Sequence, residues 1–130
     1  MMAYYRHYNL VSAKNWFWPN FTPKEVACKG TGELVVNFEA MDALQEFRDI
    51  LGVPVKINSA YRSAAHNKKI GGAQNSYHTK AMAFDIAITK ELTRDRILDA
   101  ARKSGFKGIG HYNNFVHIDI GPSRTWDFRK

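Results

Sequence analysis

Gly108-Ile109-Gly110-His111-Tyr112-Asn113-Asn114-Phe115-Val116-His117-Ile118-Asp119-Ile120 reads as a β-hairpin, and the rest of the chain can be built outward from it. Asn tolerates positive φ, so Asn113-Asn114 suits a two-residue turn. That turn pairs Tyr112 with Phe115, His111 with Val116 and Gly110 with His117. Alternate residues of a strand share a face, so His117 and Asp119 point one way and His111 the other. Gly110, opposite His117, has no side chain and is expected to leave room for a metal beside the imidazole.

Upstream, Ala81 to Ile88 alternates in the same manner. Met82, Phe84, Ile86 and Ile88 form an apolar face, while the small residues Ala81, Ala83 and Ala87 flank Asp85 on the other. His78 lies just before this strand, where a loop could turn it back towards Asp85. Two neutral imidazoles and one carboxylate suit Zn2+, and three protein ligands leave a fourth position open for water or substrate. His78, Asp85 and His117 are therefore the candidate metal ligands. Taken singly, each has a plainer reading, such as Asp85 pairing with a Lys or Arg.

The remaining segments supply the scaffold. Phe21-Thr22-Pro23-Lys24-Glu25-Val26 writes a short helix start: Thr22 caps, Glu25 completes a capping box, Pro23 suits the first turn, and Phe21 and Val26 form a staple. Asn37 caps a second helix with an apolar stripe of Ala40, Met41, Leu44, Phe47, Ile50 and Leu51, stopped by Gly52. Pro54 to Ser59 reads as a strand, Ser63 to Lys69 as one or two helical turns, and Thr93 to Lys103 as a helix ended by Gly105. Residues 1–20 are rich in aromatics (Tyr4, Tyr5, Tyr8, Trp16, Phe17, Trp18) and read as a strap packed on the domain. Helices mixed with a hairpin predict an α+β fold, a small antiparallel sheet with flanking helices.

At 130 residues and 45% hydrophobic content the chain is expected to be one folded domain, residues 1–130. Nineteen basic residues against 12 acidic give a net charge of +7, which favours an anionic partner. These charges are scattered rather than gathered on one element, which argues against nucleic acid. Cys28 stands alone, excluding an internal disulfide and a cysteine-based metal site. No apolar run approaches membrane-spanning length, and residues 1–18 lack a signal-peptide core. The expectation is therefore synthesis in the cytoplasm without a secretory address. Nothing calls for an obligate assembly, so a monomer is expected.

The chain from roughly Phe21 to Trp126 resembles the family of zinc D-alanyl-D-alanine carboxypeptidases and L-alanyl-D-glutamate endopeptidases, peptidoglycan-cleaving enzymes related in fold to the Hedgehog signalling domain. Four stretches carry the resemblance: Phe21 to Lys29; Ser59-Ala60-Tyr61-Arg62-Ser63 with His66-Asn67 and Gly71-Gly72; Ser76-x-His78 running to Ala83-x-Asp85; and Phe115 to Asp119. The resemblance implies His78, Asp85 and His117 as zinc ligands, Arg62 as a binder of a substrate carboxylate or carbonyl, and Ser76 as an aid in holding substrate. It implies peptidoglycan stem peptides as partner. Two positions depart from the family pattern: Ala81 stands where relatives usually have Gly, and Asn114 where many have a proton-accepting Glu or His. Asp119 is then expected to act as general base, or as the orienter of a ligand histidine, with His111 in reserve. A phage or prophage lysis enzyme would reconcile wall cleavage with cytoplasmic synthesis. The alternative is a zinc-stabilised wall-binding module without turnover.

Overall fold

The computed structural model describes residues 1–130, and its element order follows from the local signals. The helix α1 (Pro23–Val26) begins with a complete capping box: the Thr22 side chain accepts from the Glu25 amide while the Glu25 carboxylate accepts from the Thr22 amide. Helix α2 (Phe38–Leu51) is capped by Asn37 and ends at Gly52 in the left-handed region (φ 68°). Helix α3 (Ala64–Lys69) is capped by Ser63, and α4 (Arg94–Lys103) by Thr93.

Seven strands make two sheets. Strands β1 (Met2–Tyr5) and β2 (Leu34–Asn37) pair antiparallel as a small ribbon. The larger sheet runs β3 (Ile57–Ser59), β4 (Ala83–Ala87), β6 (Phe115–Asp119), β5 (Gly108–His111), β7 (Arg124–Asp127). Its first four strands are antiparallel neighbours, whereas β7 joins β5 in parallel, so the sheet is mixed. The α+β expectation holds, with the parallel edge as an addition. The hairpin register is the expected one, Gly110 opposite His117 and His111 opposite Val116. The strand expected over Pro54 to Ser59 pairs only from Ile57.

One face of the larger sheet is apolar. Phe106 bridges it to the helices, meeting Phe84 of β4 and Phe47 of α2 edge-on at 6.1 and 6.2 Å. Ile86, Val116, Ile118, Leu44 and Ile97 are fully buried in the same core, each contributing roughly 1.5–3 kcal/mol. The opposite face of β4 and β6 is thereby left to the polar residues.

Residues 1–20 are half-buried or exposed apart from Trp18. Trp18 is buried, donates to Asp42 of α2 and meets Phe38 edge-on at 5.3 Å. Sequence pattern did not indicate β1 or β2, because both are four-residue strands whose only partners are each other.

Ala81 was expected to begin the strand. It instead closes a 3₁₀ turn (Tyr77–Lys80) at φ 57°, the sole non-glycine residue with positive φ. An L-residue there clashes with its own backbone carbonyl, which glycine avoids. Ala81→Gly is expected to stabilise the protein by about 0.5–1 kcal/mol, strain relief exceeding the added unfolded-state entropy. Urea unfolding measures it; an unchanged or lower midpoint would contradict the strain.

Candidate metal centre

The turn that contains Ala81 is also what delivers His78. Ser76 caps the turn by accepting from the His78 amide, and the chain is pinned by the Arg62 amide donating to the His78 carbonyl. Asp85 and His117 arrive from adjacent strands, directly opposed in the β4–β6 register. One candidate ligand atom from each of the three residues lies within 4.8 Å of the others, and all three residues are buried.

Each imidazole has its proton placed by a neighbour. His78 Nδ1 lies 2.7 Å from the Ala60 carbonyl, which only accepts, so Nδ1 donates and Nε2 faces Asp85 Oδ1 at 3.1 Å. His117 Nε2 lies 2.7 Å from Asp119 Oδ2, so Nε2 donates and Nδ1 faces the same Asp85 oxygen at 3.1 Å. In their neutral forms the two rings therefore aim lone pairs at a carboxylate oxygen, an acceptor facing two acceptors. A cation resolves that conflict. Tetrahedral zinc holds N and O ligands at roughly 2.0–2.2 Å, separating them by a little over 3 Å, and two of the three separations already have that size. The donor set and its geometry fit zinc.

Charge in the cluster follows from these contacts. Burial pushes the Asp85 carboxyl up, but its contacts with His117 and then His78 outweigh it and hold the group well below the usual carboxylate range. Burial alone would push His117 down, yet the bonds to Asp119 and Asp85 leave it raised. Asp119 is opposed by burial too, but His117 and Arg124 hold its carboxyl at about 2.

A cleft of about 480 Å³ opens over the cluster. Arg62, Ser76, His78, Asp85 and His117 line it, as do Tyr77, Tyr112, Phe115, Arg124 and Trp126. Arg62 sits at one wall with Nε on Ser59, Nη1 on Asn67 at 3.1 Å and Nη2 3.6 Å from Asp85 Oδ2. The pairing of Asp85 with an arginine thus exists, but on the carboxylate oxygen turned away from both histidines. Asp85 is the sole carboxylate lining the cleft.

Two sequence expectations change here. The room opposite His117 at Gly110 is taken by Trp126: a Cβ on Gly110 would lie 2.5 Å from the indole, which packs 5.0 Å from the His117 ring. The candidate metal position lies instead on the Asp85 side of His117, where His78 also converges. Asp119 is fully buried and outside the cleft lining, with four donors on its two oxygens: the Gly121 amide, His117 Nε2 and both terminal nitrogens of Arg124. His111 faces away, against Arg94, where burial and then Arg129 and Arg94 push its pKa down. Strand β7, with Arg124 and Trp126, was missed; the alternation Arg124-x-Trp126 after Gly121-Pro122 was its available signal.

The Peptidase M15 profile matches residues 19–119. The peptidoglycan L,D-endopeptidase MepK of Escherichia coli K12 is 39% identical over 94 residues, covering 65% of this chain and 51% of that protein. The zinc D-Ala-D-Ala carboxypeptidase of Streptomyces albus G is 33% identical over 90 residues, covering 64% of this chain and 34% of that protein. A probable MepK of Haemophilus influenzae is 31% identical over 96 residues, again over 51% of its length. The chain thus spans about half the length of the MepK relatives. With the match running from the N-terminal strap through β6 and enclosing His78, Asp85 and His117, the chain belongs to the Peptidase M15 family.

Proposed function

We propose that this protein is a zinc-dependent peptidase that hydrolyses a peptide bond in the stem peptides or crosslinks of bacterial peptidoglycan, with residues 1–130 acting as one monomeric domain. The observation that carries the reading is the convergence of two proton-ordered imidazoles on one Asp85 oxygen at the floor of an open cleft. The names of the relatives, peptidoglycan endopeptidase and zinc carboxypeptidase, support the substrate class.

His78 Nε2, Asp85 Oδ1 and His117 Nδ1 would hold the zinc. When bound, zinc supplies Lewis-acid polarisation of the scissile carbonyl and a water acidic enough to attack near neutral pH. Arg62, fixed by Ser59 and Asn67, would hold a carboxylate or carbonyl of the stem peptide, and Ser76 would contribute from the cleft edge. Asp119 takes the orienting role of the two expected for it: four donors already occupy its oxygens, and its contact with His117 fixes which ring nitrogen is free. Tyr112, Phe115 and Trp126 give the cleft an aromatic wall.

The +7 charge supports attraction to an anionic envelope, as in a phage or prophage lysis enzyme that reaches the wall once the inner membrane is breached. No helix is long and apolar enough to cross a membrane. Digestion of purified muropeptides with the zinc-loaded protein, products read by mass spectrometry, tests the reading and identifies the bond. Zinc binding without cleavage of any stem peptide would overturn it in favour of a wall-binding module.

Zinc and protons compete for the same rings. Because His117 is raised in the metal-free protein, its proton persists to higher pH, and zinc takes only the neutral ring. Zinc affinity is therefore expected to fall as pH drops through that raised value, by up to about tenfold per pH unit. Chelator competition between about pH 5 and 8 measures this. A flat affinity over that range contradicts the raised pKa.

A further inference from the structure

Arg124 lies past residue 119, where the family match ends, and no role was expected for it. Its guanidinium forms a two-pronged pair with Asp119, Nη1 to Oδ1 at 2.9 Å and Nη2 to Oδ2 at 2.8 Å. The same group lies 4.6 Å from the Tyr77 ring and 5.1 Å from the Trp126 ring. Tyr77 is the chain neighbour of His78, and Trp126 packs on His117. Arg124 therefore touches, through three side chains, the segments that carry two of the candidate ligands.

Three glycines make space for this assembly. A Cβ on Gly108 would lie 2.1 Å from Asp119 Oδ1 and 2.3 Å from Arg124 Nη1. One on Gly110 would strike the Trp126 indole, and one on Gly121 would lie 2.8 Å from the Tyr77 ring and 3.0 Å from Asp119 Oδ1. A surface arginine making a chance ion pair needs no such accommodation; here β5 and the turn that follows β6 are both cleared for it.

We propose that Arg124 is a positioning residue of the metal centre: it fixes the rotation of Asp119, which in turn keeps the His117 Nε2 proton in place and Nδ1 free for the metal. The chain of contacts is Arg124, Asp119 Oδ2, His117 Nε2, with the Tyr77 and Trp126 rings holding the guanidinium flat against the pair. Without Arg124, Asp119 keeps two of its four donors and can rotate away from His117. The inference rests on the reading of His78, Asp85 and His117 as the zinc ligands.

The test is a double-mutant cycle on zinc affinity, measured by competition with a chromophoric chelator on the full chain. Arg124→Met is expected to weaken zinc about tenfold or more, the range for removing a group that orients a ligand. In an Asp119→Asn background the same change is expected to have little further effect, because Arg124 acts through Asp119. Arg124→Lys, which retains charge but not the two-pronged geometry, is expected to fall between wild type and Met, and it serves alone if the Met variant does not fold. Steady-state hydrolysis of a muropeptide is expected to lose kcat at a given zinc occupancy more than it gains in KM.

Unchanged zinc affinity in both Arg124 variants overturns the inference, as does an equal loss in both backgrounds, which would mark a general charge effect. A raised KM with wild-type zinc affinity overturns it as well, since that is the signature of a substrate-binding arginine. A wild-type protein that binds no zinc overturns the metal reading and this inference together; zinc-binding wild type with insensitive variants overturns this inference alone.

Discussion

His117→Ala is expected to abolish both the metal and the activity. The substitution removes one of three donors and leaves Asp85 Oδ1 with a single imidazole, while Asp119 loses its His117 partner and keeps Arg124. Zinc content after dialysis is expected to fall below about a tenth of wild type, and muropeptide hydrolysis by about a thousandfold or more, since polarisation by the metal supplies several kcal/mol at about 1.4 kcal/mol per tenfold. Chelation of the wild-type protein is expected to reproduce the loss of turnover and zinc to restore it, whereas zinc does not restore the variant. Zinc retention with wild-type hydrolysis in His117→Ala would refute the assignment of this residue.

The second large effect is expected from a change outside the cleft. Gly108→Ala adds one methyl group opposite Asp119, at 2.1 Å from its Oδ1 and 2.3 Å from Arg124 Nη1. Asp119 is fully buried between β5 and β4, where Gly108 and Ala83 are its cross-strand partners, so it has nowhere to withdraw. Overpacking costs about 1–3 kcal/mol, and separating the buried carboxylate from its donors adds to it. A loss of about 3 kcal/mol is expected, or roughly 10 °C in Tm for a domain of this size. Zinc affinity should fall alongside, through displaced Asp119. Thermal melts of metal-free and zinc-loaded protein check both. An unshifted Tm would mean that the sheet relaxes freely around Gly108. Lys107→Ala, one residue earlier and exposed, is the control expected to change neither.

The two predictions differ in how legible their residues were. His117 stood out because a hairpin of ten or so residues is a local object, and its register follows from a two-residue turn. The caps at Thr22 and Asn37 are legible for the same reason, each being satisfied within three residues. Gly108 had no such signal, since the atoms its missing Cβ would meet belong to residues 11 and 16 positions away. Gly110 shows the limit from the other side. Its lack of a side chain was correctly read as space, but the occupant is an indole from a strand that pairs in parallel after a turn.

Asp119 could be read two ways from sequence because both depend on the same spacing from His117. We read it as the orienting residue from its neighbours: the four donors on its oxygens come from Gly121, His117 and Arg124. Ala81 was legible as a departure from glycine, but that its φ is positive follows from how the 3₁₀ turn meets β4.

By itself the amino-acid sequence determined what is carried by short-range physics: the caps, the amphipathic faces, the hairpin register, and the segments bearing His78, Asp85 and His117. The tertiary structure alone decided which side of His117 faces the other two, what fills the gap at Gly110, and which charges lie on Asp119. Those depend on strand order, β4 on one edge of β6 and β5 with β7 beyond it on the other. Strand order is set by packing the whole apolar face at once, and no local run of residues encodes it.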